Sequence, residues 1–480
     1  MSIFRSTNPQ DFDDVDGIIV NESAPSPNIQ GVASNIVLMV AALQRGPLTI
    51  QDVGSIGEFH EIYGKSSFSG NVALKNKKFG RLRVLRAAAA AAAKASKAFQ
   101  SSTTDRITFT AKYVGAYGNN ITVKIESGTS SGKKYTIHDG NSGAVLPDEV
   151  YDNIAITDIT SATFANSKLV DVTVNSTAAE PSNASATALV SGSDGSIADS
   201  DYSTAIDKCA VERACNILFL DVYNDTRNGY LKTHAAATQD KMVIMAGAEG
   251  DSVSSAIADV ADYRDTDGRI VYAYPWVETN IDGTLTMTSP ASWLASIMSQ
   301  IAANIDPAYA KNVQYMAGAT GLKLQLTRAN YISLKEAGIC AFEYDGDLGG
   351  YKPKSGVVTQ ISDSSKVMIF RRRMADFLTD SAALFLKNYQ NAPNTRENRD
   401  AVNAALRGFV KSLEDVKMLP ADSEVRSGKA KLIDTESLNT DSSIAAGFFK
   451  ILWKQRIFSS MRYIVIQAEI GESVVVTNVD

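Results

Sequence analysis

Cysteine, histidine and tryptophan each occur only three times in 480 residues. Cys209, Cys215 and Cys340 are too few, and odd in number, for a disulfide framework, so a reducing compartment is expected. Cys209 and Cys215 stand six apart with no histidine beside them. Structural zinc sites want closer pairs and four ligands, which makes buried thiols the reading here. His60, His138 and His234 lie far apart and leave little material for a metal centre. Long apolar runs are missing too. The longest, from Ile36 to Leu43, is far short of the roughly 20 residues a membrane-spanning helix needs. The leader MSIFRSTNPQDFDDVDG has no apolar core and turns acidic at once, unlike a secretory signal. A soluble chain made in a cytoplasm is expected, with no membrane insertion. Excess positive charge is also absent: 47 Lys and Arg stand against 53 Asp and Glu, a net of −6, which argues against direct nucleic-acid binding.

What is present is ordinary globular material, 44% hydrophobic and 21% charged, long enough for several domains. Residues 1–30 read as an N-terminal arm. Acids at 11, 13, 14 and 16 precede the β-prone run Gly17, Ile18, Ile19, Val20, and Pro25 and Pro27 then forbid regular structure. That run has nothing local to pair with, so it joins a sheet elsewhere in its own chain or in a neighbour. Residues 31–104 read as α/β: a buried strand at 35–42, a helix opened by Ser55, a strand at Leu82–Arg86, then seven alanines suited to a close-packed helix or a spacer. Residues 105–204 read as an inserted, outward-facing all-β domain. Its stretch 161–200 holds only five charged residues and one aromatic, Phe164, as a Ser- and Ala-rich return segment would.

Residues 205–390 alternate strand and helix. Strands at 216–222, 241–246 and 269–276 with an amphipathic helix at 253–261 predict a βαβ parallel sheet. Ser289-Pro290 predicts a helix start, and a longer helix carries Met374, Phe377, Leu378, Ser381 and Phe385. Residues 391–480 read as a C-terminal α/β domain. Asn394 or Thr395 caps a helix through Leu413, and two apolar strands follow, 463–470 and 473–479. Ile464, Val465, Ile466, Val474, Val475 and Val476 carry those strands. Apolar strands at a chain end need cover, or they become aggregation edges. The fold class is thus mixed α/β (α+β) and multidomain, a core with an inserted all-β outer domain and strand arms at both ends.

No catalytic, cofactor or metal-ligand set is legible. GTSSGKK at 128–134 is one residue short of a phosphate loop, lacks its Ser or Thr, and precedes a strand. It reads as a hairpin loop. Gly247-Ala248-Glu249-Gly250-Asp251 stands at a strand-to-helix junction that can receive a ligand, but its acid repels phosphate. Charge is distributed unevenly: residues 366–462 carry 17 basic and 11 acidic side chains, and the rest 30 and 42. Arg371, Arg372 and Arg373, with Lys450, Lys454 and Arg456, contribute to that basic stretch. It is either an ordinary solvated face or a surface that docks on something acidic.

Several segments resemble contractile tail sheath proteins of long-tailed bacteriophages and related contractile injection systems. They are Arg45-Gly46-Pro47 with Val53 to Gly64, Leu82 to Arg86 followed by alanines, Gly115-Ala116-Tyr117-Gly118-Asn119-Asn120-Ile121-Thr122-Val123, Arg372 to Phe377, and Leu438-Asn439-Thr440. The glycine–asparagine motif is the most specific, with Tyr117 where the family pattern has tryptophan. Residues 130–200 match no part of the pattern. The resemblance implies a structural subunit without cofactor or enzymatic activity. It stacks with copies of itself as rings around a tail tube protein, between baseplate and tail terminator proteins, in a virion tail assembled in the host cytoplasm. It also implies that both strand arms pair between subunits and that the C-terminal domain faces the tube, with Lys450, Lys454 and Arg456 as contact candidates. The alternatives are an α/β enzyme with a cleft at 247–251 and a non-contractile surface-layer or tube-forming protein.

Overall fold

The computed structural model describes residues 3–5, 18–20, 29, 31–65, 81–213, 215–281, 283–363, 365–420, 433–434 and 436–460. The chain divides into two compact units, Ala33–Phe377 and Met1–Val32 together with Leu378–Asp480.

The larger unit is built on an eight-stranded sheet. Its strands are β1 (Ile36–Ala42), β2 (Gln51–Val53), β3 (Arg81–Ala87), β4 (Ile217–Leu220), β5 (Met242–Ala246), β6 (Ile270–Tyr274), β7 (Ile339–Asp345) and β8 (Gly350–Pro353). They lie in the order β8-β7-β6-β5-β4-β1-β3-β2, all neighbours parallel except the two edge strands. The central strands are apolar on both faces because both are covered: Val37 to Ala41, Ile217 to Leu220 and Val243 to Ala246 are all fully buried.

Helices follow local signals closely. In α1 (Ile56–Tyr63), Ser55 accepts the Glu58 N–H and Glu58 reaches back to the Gly54 N–H at 2.7 Å, and Gly64 ends the helix at φ +87°. The other helices of this unit include α2 (Asp199–Lys208), α3 (Asp225–Thr238), α4 (Val253–Asp262) and α5 (Pro290–Gln300). Trp293, Ile297 and Ile301 stand at helical spacing, one apolar stripe along α5. The structure buries every residue from Pro290 to Ser299, with the helix lying across β1, β4, β5 and β6. Its serines tolerate this because Ser292 and Ser299 donate back to helix carbonyls, each at 2.7 Å.

Between β3 and α2 the chain forms two further sheets with a core of their own, where Phe99, Phe109, Tyr135 and Phe164 pack edge to face or tilted. One sheet joins Ser96–Ser101, Thr104–Ala111 and Val170–Val174, and the other Ile121–Ser127, Lys133–Asp139, Glu149–Ile154 and Ala184–Ala188. GTSSGKK closes the hairpin between Ile121–Ser127 and Lys133–Asp139, with Gly132 at φ +59°. The alanine run is not helical. After Ala87 it turns, pairs Ala93 with Ser193 and enters the strand at Ser96. Methyl-sized side chains offer little to bury in a helix, but they let the returning chain approach closely. A Cβ on Gly195 would meet Ala89 Cβ at 2.9 Å.

The smaller unit holds α6 (Arg396–Asp415), capped by Thr395, which buries Val402, Leu406, Phe409, Val410 and Leu413 as their spacing requires. Ile433–Asp434 pairs antiparallel with Leu452–Trp453. The division between the units falls within the helix Ile369–Leu386.

Candidate functional site

The residues singled out in the sequence fall in four places. Of the N-terminal arm, Ile18–Val20 is a strand. It pairs in parallel with Ile3–Arg5 of its own chain, a partner the sequence reading did not see, so that run does have something local to pair with. Two three-residue strands leave both outer edges unpaired; among the described residues no third strand joins them. Gly17 and the C-terminal positions Ile464, Val465, Ile466, Val474, Val475 and Val476 lie outside the described residues. Lys450, Lys454 and Arg456 are exposed. The backbone at Lys450 is fixed by Asn439, which accepts its N–H at 2.8 Å and donates to its carbonyl at 2.7 Å, and the Lys450 ammonium lies 5.8 Å from the Phe448 ring centre.

Arg372 and Arg373 must be removed from the basic surface. Arg373 is only 4% exposed and donates to the carbonyls of Met298 (2.8 Å), Ile301 (3.0 Å), Ser34 (3.2 Å) and Ala302 (3.4 Å), covering the C-terminal end of α5. Burial lowers its pKa to about 10. Arg372 bonds Asp376, which also receives a two-pronged pair from Arg269 at 3.0 Å each. A helical period places these side chains inward, and charge counting along the chain does not see that.

In an open parallel sheet a ligand cleft is expected where crossovers diverge, at the carboxyl ends of adjacent strands. Here that point lies between β1 and β4, since β1 leads to β3 on one side and β4 to β5 on the other. The chain's own side chains fill it. Asp221, just after β4, accepts the Ala42 N–H at 3.0 Å and the Tyr202 hydroxyl at 2.8 Å. The Arg227 guanidinium lies 3.8 Å from the centre of the Tyr202 ring. Tyr223 accepts the Leu220 N–H and donates to the Ile244 carbonyl. The Gly247–Asp251 junction is closed over by Trp276, whose Nε1 donates to the Gly247 carbonyl at 3.1 Å, and by Tyr274, which donates to the Asp251 carbonyl.

The polar cluster that ties distant segments together sits where the β insertion meets the main sheet. Arg86, at the end of β3, is 4% exposed and donates to the carbonyls of Leu43 (2.8 Å), Val114 (2.9 Å), Gln44 and Gly46. Arg45 bonds the Glu61 carbonyl, approaches Asp139 at 3.4 Å and lies 4.8 Å from the centre of the Tyr117 ring. Tyr117 donates to Asp139 at 2.5 Å, and burial raises its hydroxyl pKa well above the usual tyrosine value. The turn carrying Tyr117 depends on its small residues. Gly115 has φ +130°, and a Cβ on Gly118 would come within 2.8 Å of Ala111 Cβ and 2.9 Å of Ala95 Cβ. Asn119 exchanges two bonds with Gly192, 2.9 and 2.7 Å.

No family profile and no curated protein matches the sequence. Solved structures do match. The sheath tail protein of Desulfitobacterium hafniense superposes with a TM-score of 0.62 at 18% identity, covering 84% of this chain and 91% of that one. The sheath tail protein of Listeria innocua gives 0.63 at 17%, covering 82% and 87%. The helical sheath of the anti-feeding prophage in its contracted state gives 0.57 at 13%, covering 95% and 99%. The chain has the tail sheath fold.

Three of the segments that resemble sheath sequences come together in this sheath fold: Arg45-Gly46-Pro47, the strand ending at Arg86, and the turn around Tyr117. Sequence reading placed Arg86 in a strand and Arg45 in the Arg45-Gly46-Pro47 segment after one, and it gave neither guanidinium, nor Asp139, a role in joining segments. Arginine in an apolar strand was the available signal, because a buried guanidinium needs acceptors from elsewhere in the chain.

Proposed function

We propose that this protein is the structural subunit of a contractile tail sheath. The observation that carries the reading is the sheath fold, matched over 95% of this chain by an assembled helical sheath. The filled crevice between β1 and β4 supports it against an enzyme reading, since the usual ligand position of such a sheet is taken by Asp221, Tyr202 and Tyr223.

In this reading copies of the chain stack as rings around a tail tube, bounded by baseplate and terminator proteins. On triggering they rearrange into a shorter, wider lattice that drives the tube through the target envelope. Work comes from the difference in inter-subunit burial between two assembled states, so no nucleotide is consumed. The particle is a virion tail or a related injection machine, assembled in the host cytoplasm. Strand addition connects the lattice: Gly17 to Val20 and the strands around Ile464–Ile466 and Val474–Val476 pair with neighbouring subunits. The outer edge of Ile18–Val20, which no other described strand pairs, suits this. Lys450, Lys454 and Arg456 face the tube, whose outer surface is acidic. Contraction must break these contacts, and exposed pairs worth under about 1 kcal/mol each permit it. Charge reversal at all three (K450E, K454E, R456E) is expected to shorten or abolish sheaths formed on cognate tubes. Sheaths of wild-type length would overturn the assignment of these residues.

A further inference from the structure

The larger unit carries an open cavity of about 550 Å³ at the carboxyl end of β7. Its walls are the end of β7, the turn into β8, the tight helical segment Ala310–Met316 and the strand Ala319–Leu322. That volume lies within the roughly 300–1,000 Å³ of ligand pockets, and the carboxyl end of a parallel strand is where such sheets hold them. The walls are fixed in place. The Tyr351 hydroxyl donates to the Thr320 carbonyl at 3.0 Å. Asp345 Oδ1 accepts the N–H groups of Asp347 and Leu348, both at 3.2 Å, and Gly349 turns the chain at φ +67°. Gly350 lets Ala310–Met316 press on β8, since a Cβ there would meet Val313 Cγ2 at 2.5 Å. The edge of β8 is a poor template for an added strand, because it is four residues long and ends in proline. A compact ligand suits the cavity better.

The lining selects the chemistry. Tyr344 and Leu348 both line the cavity and stay exposed, at 57% and 44%. The Tyr344 and Tyr351 rings lie 5.1 Å apart at 59°, so they make an angled aromatic corner and not a flat stack. Among the described residues that line the cavity none is charged. Thr320 and the main chain of Gly349 and Gly350, bare of side chains, bring hydrogen-bonding groups beside the rings. A phosphate, carboxylate or ammonium would shed water there with no counter-charge to receive it. What fits is an uncharged molecule with C–H faces for the rings and several hydroxyls for the polar wall. We propose that this cavity binds a neutral oligosaccharide, whose pyranose rings lie against Tyr344 and Tyr351. Tyrosine suits a wet site of this kind, since it joins a rigid apolar ring to a polar tip. The proposal stands independently of the sheath reading.

The test applies the full chain to an array of neutral and anionic oligosaccharides and measures the hits by isothermal titration calorimetry. The expected result is retention on neutral glycans, with sialylated and sulfated ones left unbound. Tyr344→Ala should weaken the best hit about tenfold or more, whereas Tyr344→Phe keeps the ring and should keep most of the affinity. Val150→Ala, which removes an exposed apolar side chain in the β insertion, should change nothing. If the melting temperature shows that Tyr344→Ala has not folded, Leu348→Ala carries the test and should also weaken binding. Absence of neutral hits, retention of anionic glycans alone, or affinity that survives in Tyr344→Ala and Leu348→Ala would overturn the proposal. So would self-association in sedimentation velocity that Tyr344→Ala abolishes while no glycan binds, because the cavity would then belong to a contact with a second copy of the chain.

Discussion

Arg373 places a guanidinium in the interior and uses it on main-chain oxygens. Four carbonyls from Ser34 and the end of α5 converge on it. A lysine point charge cannot reproduce that fork. Arg373→Ala should destabilise the chain by about 3–5 kcal/mol, by orphaning buried acceptors and opening a cavity, and Arg373→Lys should recover only part of the loss. Thermal unfolding of the soluble subunit measures both, and a loss under about 1 kcal/mol for the alanine variant would contradict the capping role. Asp221 makes a different prediction. Burial raises its carboxyl pKa from 3.8 to about 6. The folded chain thus holds that proton more tightly than the unfolded chain. The resulting stability is complete below pH 3.8 and is lost as pH rises through 6. Asp221→Asn keeps an acceptor for Ala42 and a partner for Tyr202 but does not titrate. Relative to wild type it should gain on the order of 3 kcal/mol between pH 4 and pH 7. Equal differences at the two pH values would exclude the buried carboxyl as their source.

At the scale of elements, local chemistry was the legible part. Ser55, Ser289 and the pair Asn394-Thr395 announced helix starts, and the structure caps helices at Ser55, Ser289 and Thr395. The apolar runs at 36–42, 217–220, 242–246 and 270–274 announced the parallel sheet. What stayed hidden is decided by distant segments. Nothing local says that α5 is covered on every side, that Arg372 and Arg373 turn inward, or that Ile3–Arg5 waits for Ile18–Val20. Of the two readings of the alanine run, the helix fails for a physical reason: helix propensity is a weak prior, and a tertiary need for close approach overrode it. The turn around Tyr117 was recognised by its residues, and only the packing explains them. Gly118→Ala should cost about 1–3 kcal/mol, because its methyl meets Ala111 and Ala95 at under 3 Å. Tyr117→Phe, which loses only the bond to Asp139, should cost about 1–2 kcal/mol. Urea unfolding that ranks the two variants as neutral would show that this junction can relax.

At the scale of the whole molecule, the folded units would be the bodies of the proposed sheath lattice, and the segments at the two chain ends its proposed connectors. The sheath fold accounts for an α/β body whose crevice between β1 and β4 is filled by its own Asp221 and Tyr202. Removal of residues 1–22 should leave a soluble, folded subunit that no longer polymerises, as should removal of 462–480, because each takes away a proposed inter-subunit connector while sparing the eight-stranded sheet. Circular dichroism and sedimentation velocity together measure this. A truncated chain that still forms long polymers would place the connectors elsewhere. The central claim is tested most directly by negative-stain electron microscopy of the purified chain, alone at high concentration and together with its cognate tube. Hollow cylinders or stacked rings with helical striations are the predicted result. Discrete particles that never assemble, even with the tube present, would contradict it.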